Sequence, residues 1–180
     1  MKKVLIIAVS CLLTVCMLAG CADNTQTPSE EQEAVITDNA GGTDLPSLDN
    51  YEDSFLDLIT YMTEAGIIKG DGTEVNAESI GAAHGKRFTM SSGPVKYYIE
   101  LFEYEDPTTD KAKSVITNAK RDHTFMLFGN TESITQHTYA VISENGKYLL
   151  LYSDTSTSDS AAQRQKNAES AFLNYCTISK

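Results

Sequence analysis

The 180-residue chain has no tryptophan and only four cysteines, and three of these lie at its N-terminal end. Cys11 and Cys16 belong to the apolar N-terminal stretch, and Cys21 follows it. Cys176 is then the single cysteine expected in the folded body, so we expect no intramolecular disulfide there. Its neighbours are apolar, which favours a small buried residue over a reactive thiol.

Basic residues are also scarce. The chain carries 14 Lys and Arg against 25 Asp and Glu, for a net charge of −11. Residues 22–50 contain no basic residue at all. A chain this acidic cannot bind nucleic acid by neutralising phosphates, and anionic lipid headgroups repel it. The composition therefore excludes electrostatic binding to nucleic acid or to a membrane surface.

Recognisable catalytic and metal-binding patterns are missing as well. His84, His123 and His137 stand apart from one another and from cysteine, so none has zinc-site spacing. Glu100 and Glu103 fall on opposite faces of a predicted strand and do not form a carboxylate pair. The chain has no phosphate loop, calcium-loop order or Gly-x-Ser-x-Gly turn. We therefore predict no catalytic residue, no metal ligand and no cofactor-binding residue.

The N-terminus carries the clearest signal that is present. Lys2 and Lys3 precede an apolar stretch that runs to Met17 and is too short for a comfortable bilayer span. This pattern is typical of a secretory signal. The ending Leu-Ala-Gly-Cys resembles a bacterial lipobox. That resemblance implies cleavage before Cys21, a diacylglycerol on its sulfur, and a location on the outer face of the cytoplasmic membrane, where the acyl chains are the membrane contact.

Composition divides the chain into three parts. Residues 1–20 are the predicted signal peptide. Residues 21–50, the acidic tether, begin with Cys21 and are too polar to order themselves. Residues 51–180 are the predicted single domain, since about 130 residues can bury an independent core.

Three helices are predicted in this domain from apolar residues at helical spacing. Their apolar stripes are Phe55, Leu58, Ile59 and Met62; then Ala112, Val115, Ile116 and Ala119; then Ala161, Ala168, Ala171, Phe172 and Tyr175. Gly66 ends the first helix. Asp106 and Pro107 begin the second, and Ser158 or Asp159 caps the third.

Strands are predicted at residues 86–90, 95–103 and 125–128, followed by a hairpin around Asn145-Gly146. A two-residue turn there pairs Ile142 with Leu149 and Tyr139 with Tyr152. One hairpin face is then aliphatic and belongs to the core. The order of elements predicts an α+β fold, with an antiparallel sheet of about four to five strands and helices packed on one face.

The other hairpin face carries Tyr139, Tyr148 and Tyr152, which we call the tyrosine patch and which Tyr98 and Tyr104 can extend. Tyrosine offers contact area at low entropic cost, so an exposed patch is a candidate binding surface for peptide, glycan or protein. The alternative is that helices cover this face and that the three tyrosines are core residues with hydrated hydroxyls.

The domain resembles a group of small Firmicute surface lipoproteins. The resemblance lies in Ile80-Gly81-Ala82, Gly85, the strand 98–104 and the turn at Asn145-Gly146. It implies no particular chemistry. We therefore expect a binding or interaction module whose partner is an envelope protein or an extracellular ligand. The alternatives are an accessory subunit of an envelope transport or cell-wall complex, and an enzyme acting on wall material.

The lipid anchor is directly testable. Cys21→Ser removes the sulfur that would carry diacylglycerol, and the acidic chain has no electrostatic hold on the membrane in its place. We expect the variant to leave the membrane fraction and the detergent phase, as measured by phase partitioning against the unaltered chain. Equal partitioning of the two proteins would refute lipidation.

Overall fold

The computed structural model describes residues 44–125 and 138–179. The predicted signal peptide, Cys21 and most of the acidic tether lie outside these residues. So do residues 126–128 of the predicted strand 125–128, and His137. No helix within the described ranges has both the length and the apolar content needed to cross a bilayer.

The described residues form three α-helices and a five-stranded sheet. In chain order they are α1 (Phe55–Glu64), β1 (Thr73–Glu74), β2 (His84–Ser92), β3 (Val95–Glu103), α2 (Asp110–Asp122), β4 (Thr138–Ile142), β5 (Tyr148–Asp154) and α3 (Asp159–Tyr175). Every neighbouring pair of strands is antiparallel, in the order β1-β2-β3-β5-β4. The predicted α+β class with an antiparallel sheet is confirmed. Strand β1 is not among the predicted strands.

The predicted β4–β5 hairpin has the expected register. Ile142 pairs with Leu149 and Tyr139 with Tyr152. Gly146 adopts φ 79°, a conformation that glycine reaches without strain, and the Asn145 side chain accepts a hydrogen bond from the Lys147 N–H at 3.0 Å.

The helices have the predicted inner faces. The stripes of α2 and α3 are buried throughout, and in α1 Leu58 and Met62 are fully buried. Ser158 caps α3 as predicted, by accepting from the Ala161 N–H. The start of α2 differs from the prediction, because Thr109 is its cap. Asp106 instead accepts from Thr108 in the turn before the helix.

Helices cover both faces of the sheet, so the prediction of helices on one face is corrected. Side chains of α1 and α3 form one core cluster with β2, β3 and alternate residues of β4 and β5. Side chains of α2 form a second cluster on the opposite face, with Ala140, Ile142, Leu149 and Leu151. Strand β5 belongs to both clusters because its successive side chains point to opposite faces. Residues 148–152 are therefore all buried.

Two residues that precede the predicted domain 51–180 contact the folded body. Leu45 and Leu48 are partly buried and pack against the α1–α3 core cluster, and residues 48–50 form a 3₁₀ turn. Two apolar side chains in an otherwise polar segment thus suffice to attach the end of the acidic tether to the core.

A polar network then fixes the chain where it enters α1. The Tyr148 hydroxyl donates to Asp53 Oδ1 at 2.7 Å, and Lys147 Nζ lies 2.9 Å from the same oxygen. The Tyr175 hydroxyl lies within hydrogen-bond distance of the Glu52 carbonyl, 2.6 Å away. We call Asp53, Lys147, Tyr148 and Tyr175 the entry network. It joins the start of α1 to β5 and α3.

Two buried tyrosines allow a matched test of how much a hydroxyl contributes to stability with and without a hydrogen-bond partner. Tyr104 is buried, and its hydroxyl has no hydrogen-bond partner among the described residues. Tyr104→Phe removes this unpaired group, so we expect the free energy of unfolding to rise by about 1 kcal/mol. Tyr148→Phe removes a hydrogen bond to a carboxylate and should lower it by about 2 kcal/mol.

Urea unfolding of both variants and the unaltered chain measures the two differences. A loss of stability in Tyr104→Phe as large as that in Tyr148→Phe would contradict the assignment of an unpaired hydroxyl.

Candidate functional site

The tyrosine patch is not exposed. Tyr148 and Tyr152 are buried, and Tyr139 is half-buried. The prediction of an exposed patch is corrected, because α1 and α3 pack on this face of the hairpin. The structure agrees with the alternative that the tyrosines are core residues, except that their hydroxyls bind protein groups.

Each of these hydroxyls is tied to a carboxylate. Tyr148 donates to Asp53, Tyr152 to Asp154 at 3.0 Å, and Tyr139 to Glu169 at 3.2 Å. Burial, together with the neighbouring carboxylates, raises the pKa of all three phenols. They are neutral donors at physiological pH. Tyr148 and Tyr139 join β5 and β4 to the start of α1 and to α3, whereas the Tyr152 bond to Asp154 lies within β5.

A buried ion pair lies beside Tyr152. Arg164 of α3 binds Asp154 Oδ2 at 2.9 Å and stacks over the Tyr97 ring at 5.0 Å. Burial alone would raise the pKa of Asp154. Hydrogen bonds from Arg164, the Ser156 N–H and Tyr152 outweigh burial and lower it. Asp154 is therefore a charged structural residue, whose partners leave it poorly suited to proton transfer.

A concave surface lies on the opposite face of the sheet, where α2 packs. It encloses about 460 Å³, a size within the usual range for ligand pockets. Phe102 of β3 and Leu151 of β5 line it, with Val75 and Ile80 among the residues of one wall and Phe125 on its border. We call this concavity the Tyr98 groove, after the exposed tyrosine among its lining residues.

A glycine shapes the wall of the Tyr98 groove. Gly85 of β2 pairs with Phe102 of β3, and the Phe102 ring lies over the glycine. A Cβ atom at position 85 would approach this ring to 2.6 Å and Val75 to 2.9 Å. Only glycine fits this close approach, which lets the Phe102 ring contact the segment that follows β1.

That segment is held in place by its own polar contacts. The Asn76 side chain accepts from the Ser79 N–H, which begins a 3₁₀ turn over Ala77–Ile80. Gly81 ends the turn at φ 77°. Lys111 of α2 donates to the Glu78 carbonyl at 3.3 Å, so the wall is joined to α2.

The polar part of the Tyr98 groove is a cross-strand ion pair. Arg87 and Glu100 are directly opposed in the β2–β3 register. The guanidinium contacts Glu100 Oε1 through both Nε and Nη2. Arg87 also lies 5.7 Å from the centroid of the Tyr98 ring, which is 38 % exposed. A charged pair and an aromatic ring thus lie beside an apolar floor.

The sequence patterns do not reveal this site. They place Tyr98 as an extension of the tyrosine patch, and they place Glu100 on a strand face opposite to Glu103. The ion pair itself is predictable from the sequence. A two-residue turn at Gly93-Pro94 pairs Ser92 with Val95, and the same register places Arg87 opposite Glu100. The apolar floor carries no such signal, since it depends on the β3–β5 register and on the 3₁₀ turn.

The remaining candidates stay apart. His84 stacks on Phe55 with the ring centroids 6.0 Å apart, and His123 ends α2 and stacks on Tyr139. Burial raises the pKa of Cys176 to about 12, so its thiol stays protonated. No three His, Cys, Asp or Glu side chains of the described ranges are grouped as a metal ion requires.

Comparison with known proteins adds no relative. No protein-family model matches the chain, and neither a curated protein nor a solved structure matches it.

The Asp154–Arg164 pair predicts an acid-dependent loss of stability. Asp154→Asn leaves a largely buried guanidinium without its counter-charge, so we expect the free energy of unfolding at pH 7 to fall by about 3 kcal/mol. The folded pKa of Asp154 lies below its ordinary value of 3.8. Its stabilisation is therefore complete above about pH 5, begins to fall near the ordinary pKa, and is lost as the pH falls through the folded pKa.

Thermal unfolding from pH 7 down to pH 3 measures this difference. The difference in stability between the unaltered chain and Asp154→Asn should be constant above pH 5 and should become smaller below pH 4. Asp122→Asn, which breaks the exposed pair with Arg121, is the matched control and should change stability by about 0.5 kcal/mol or less. A gap that persists unchanged to pH 3 would contradict the assignment.

Proposed function

We propose that this protein is a lipid-anchored extracytoplasmic binding module at the outer face of the bacterial cytoplasmic membrane. Supporting the location are the Leu-Ala-Gly-Cys ending at Cys21 and the acidic, Gly- and Thr-containing tether that follows it. Two acyl chains hold such a protein to the bilayer without help from charge. The tether then separates the folded body from the membrane surface.

The Tyr98 groove is the observation that carries the proposed binding role. It combines an apolar floor with a few convergent polar groups, which is the usual composition of a ligand site. Tyr98 and Arg87, two residue types enriched in binding hot spots, are accessible there, and neither is needed to complete the core. A ligand in the groove would cover the Tyr98 ring, which is otherwise partly exposed to solvent.

The proposed role predicts that capture of a ligand depends on Tyr98. We expect the mature chain carrying Cys21→Ser to retain a specific protein or small molecule from envelope extract, identified by mass spectrometry. Tyr98→Ala should reduce that recovery about tenfold or more, because an aromatic side chain in a binding site often contributes 2 kcal/mol or more. The variant should keep its fold, since Tyr98 is exposed.

Leu56→Ala is the matched control, because Leu56 is a large apolar residue, 72 % exposed, on α1. Recovery should be unaffected by this change. Equal recovery by the two variants would contradict binding through the Tyr98 groove. If the chain and both variants instead degrade cell-wall fragments, that result would favour the enzyme alternative.

A further inference from the structure

The Arg87–Glu100 pair determines which charges the Tyr98 groove can accept. Both nitrogen contacts of the guanidinium end on Oε1 of Glu100. Neither side chain has a hydrogen-bond partner outside the pair among the described residues. The Glu100 side chain is only 16 % exposed, whereas that of Arg87 is 51 % exposed. The pair therefore presents an acceptor, Oε2, next to unused guanidinium N–H donors, with no net charge.

A charged ligand is poorly matched to this arrangement. An anion at the unused guanidinium donors would lie beside the Glu100 carboxylate, which repels it. A cation would have to compete with the guanidinium for Glu100. Because the Glu100 side chain is only 16 % exposed, a ligand that displaces Arg87 leaves a largely buried carboxylate without its counter-charge, so such an exchange is unfavourable. The ligand at this point should be uncharged and should offer both a donor and an acceptor.

A backbone amide meets that requirement. Its N–H can donate to Glu100 Oε2 while a neighbouring C=O accepts from Arg87, and the ion pair stays intact. The apolar floor of Phe102 and Leu151 lies beside the pair, since Leu151 is the β5 neighbour of Glu100. An amide at the pair would thus place an adjacent apolar side chain over the floor. Tyr98 flanks the same position on β3.

We propose that the Tyr98 groove binds an extended, uncharged peptide segment, with a backbone amide on the Arg87–Glu100 pair and a large apolar side chain over Phe102 and Leu151. The inference rests on the proposed binding function and names its ligand class. Specificity comes from the paired charges, which admit a neutral amide and disfavour charged groups, and affinity comes from the apolar floor.

The test is an NMR titration of the ¹⁵N-labelled mature chain carrying Cys21→Ser. The probes are capped pentapeptides, acetyl-Ala-Ala-Xaa-Ala-Ala-amide, with Phe, Leu, Ala, Lys or Glu at the central position, and the sugar N,N′-diacetylchitobiose. We expect the Phe and Leu peptides to shift the signals of Arg87, Tyr98 and Glu100. We expect the Lys and Glu peptides to bind about tenfold more weakly than the Phe peptide, and the sugar to leave these signals unchanged.

Arg87→Met removes the donors and should weaken binding of the Phe peptide about tenfold, as expected for a lost charge-assisted hydrogen bond. Arg121→Met, which breaks the exposed pair with Asp122, is the matched control and should not change the affinity. The amide spectrum of each variant shows whether the fold is retained.

Three results would overturn the peptide assignment: no shift of groove signals with the Phe or Leu peptide, equal affinity for the Lys or Glu peptide, or tighter binding of the sugar. Each leaves the proposed function standing if Tyr98→Ala, but not Leu56→Ala, abolishes capture from envelope extract. If both variants capture equally while the capped peptides still shift the groove signals, the proposed capture function is contradicted and the peptide assignment is supported.

Discussion

The structure depends on the burial of β5 on both of its faces. This strand pairs with β3 on one side and β4 on the other, and its residues 148–152 alternate between the two core clusters. Each fully buried large apolar side chain contributes about 1.5–3 kcal/mol. Because successive residues of one strand hold opposite layers, α2 cannot separate from the sheet without disturbing the strand that also supports α1 and α3.

The elements set by neighbouring residues were predictable from the sequence. The Asn145-Gly146 turn determines the β4–β5 register, and the stripes of α2 and α3 follow from helical spacing. Coverage of the second hairpin face was not predictable in the same way. Tyrosine is compatible with a solvent-exposed surface or with a core. Whether it is buried depends on whether its hydroxyl has a hydrogen-bond partner in the protein. For Tyr148 that partner is Asp53, 95 residues away along the chain.

The candidate site illustrates the same difference. The opposition of Arg87 and Glu100 follows from a local turn. The groove itself needs three further contacts: Phe102 over Gly85, Leu151 beside Glu100, and the 3₁₀ turn joined to α2 by Lys111. These bring together segments that are separated in sequence. A local pattern therefore reveals the polar half of the site, whereas the apolar half appears only in the folded sheet.

If the proposed lipid anchor holds the protein by its N-terminal end, the entry network has a mechanical consequence. Asp53 lies just before α1 and contacts Lys147 and Tyr148 at the start of β5. The Tyr175 hydroxyl donates to the backbone carbonyl of the preceding residue, Glu52. Tension that arrives along the N-terminal segment would thus be transferred to β5 before it reaches the turns of α1. Unfolding that starts at this end must therefore first break charge-assisted hydrogen bonds, so these bonds protect α1 against a pull on the N-terminal segment.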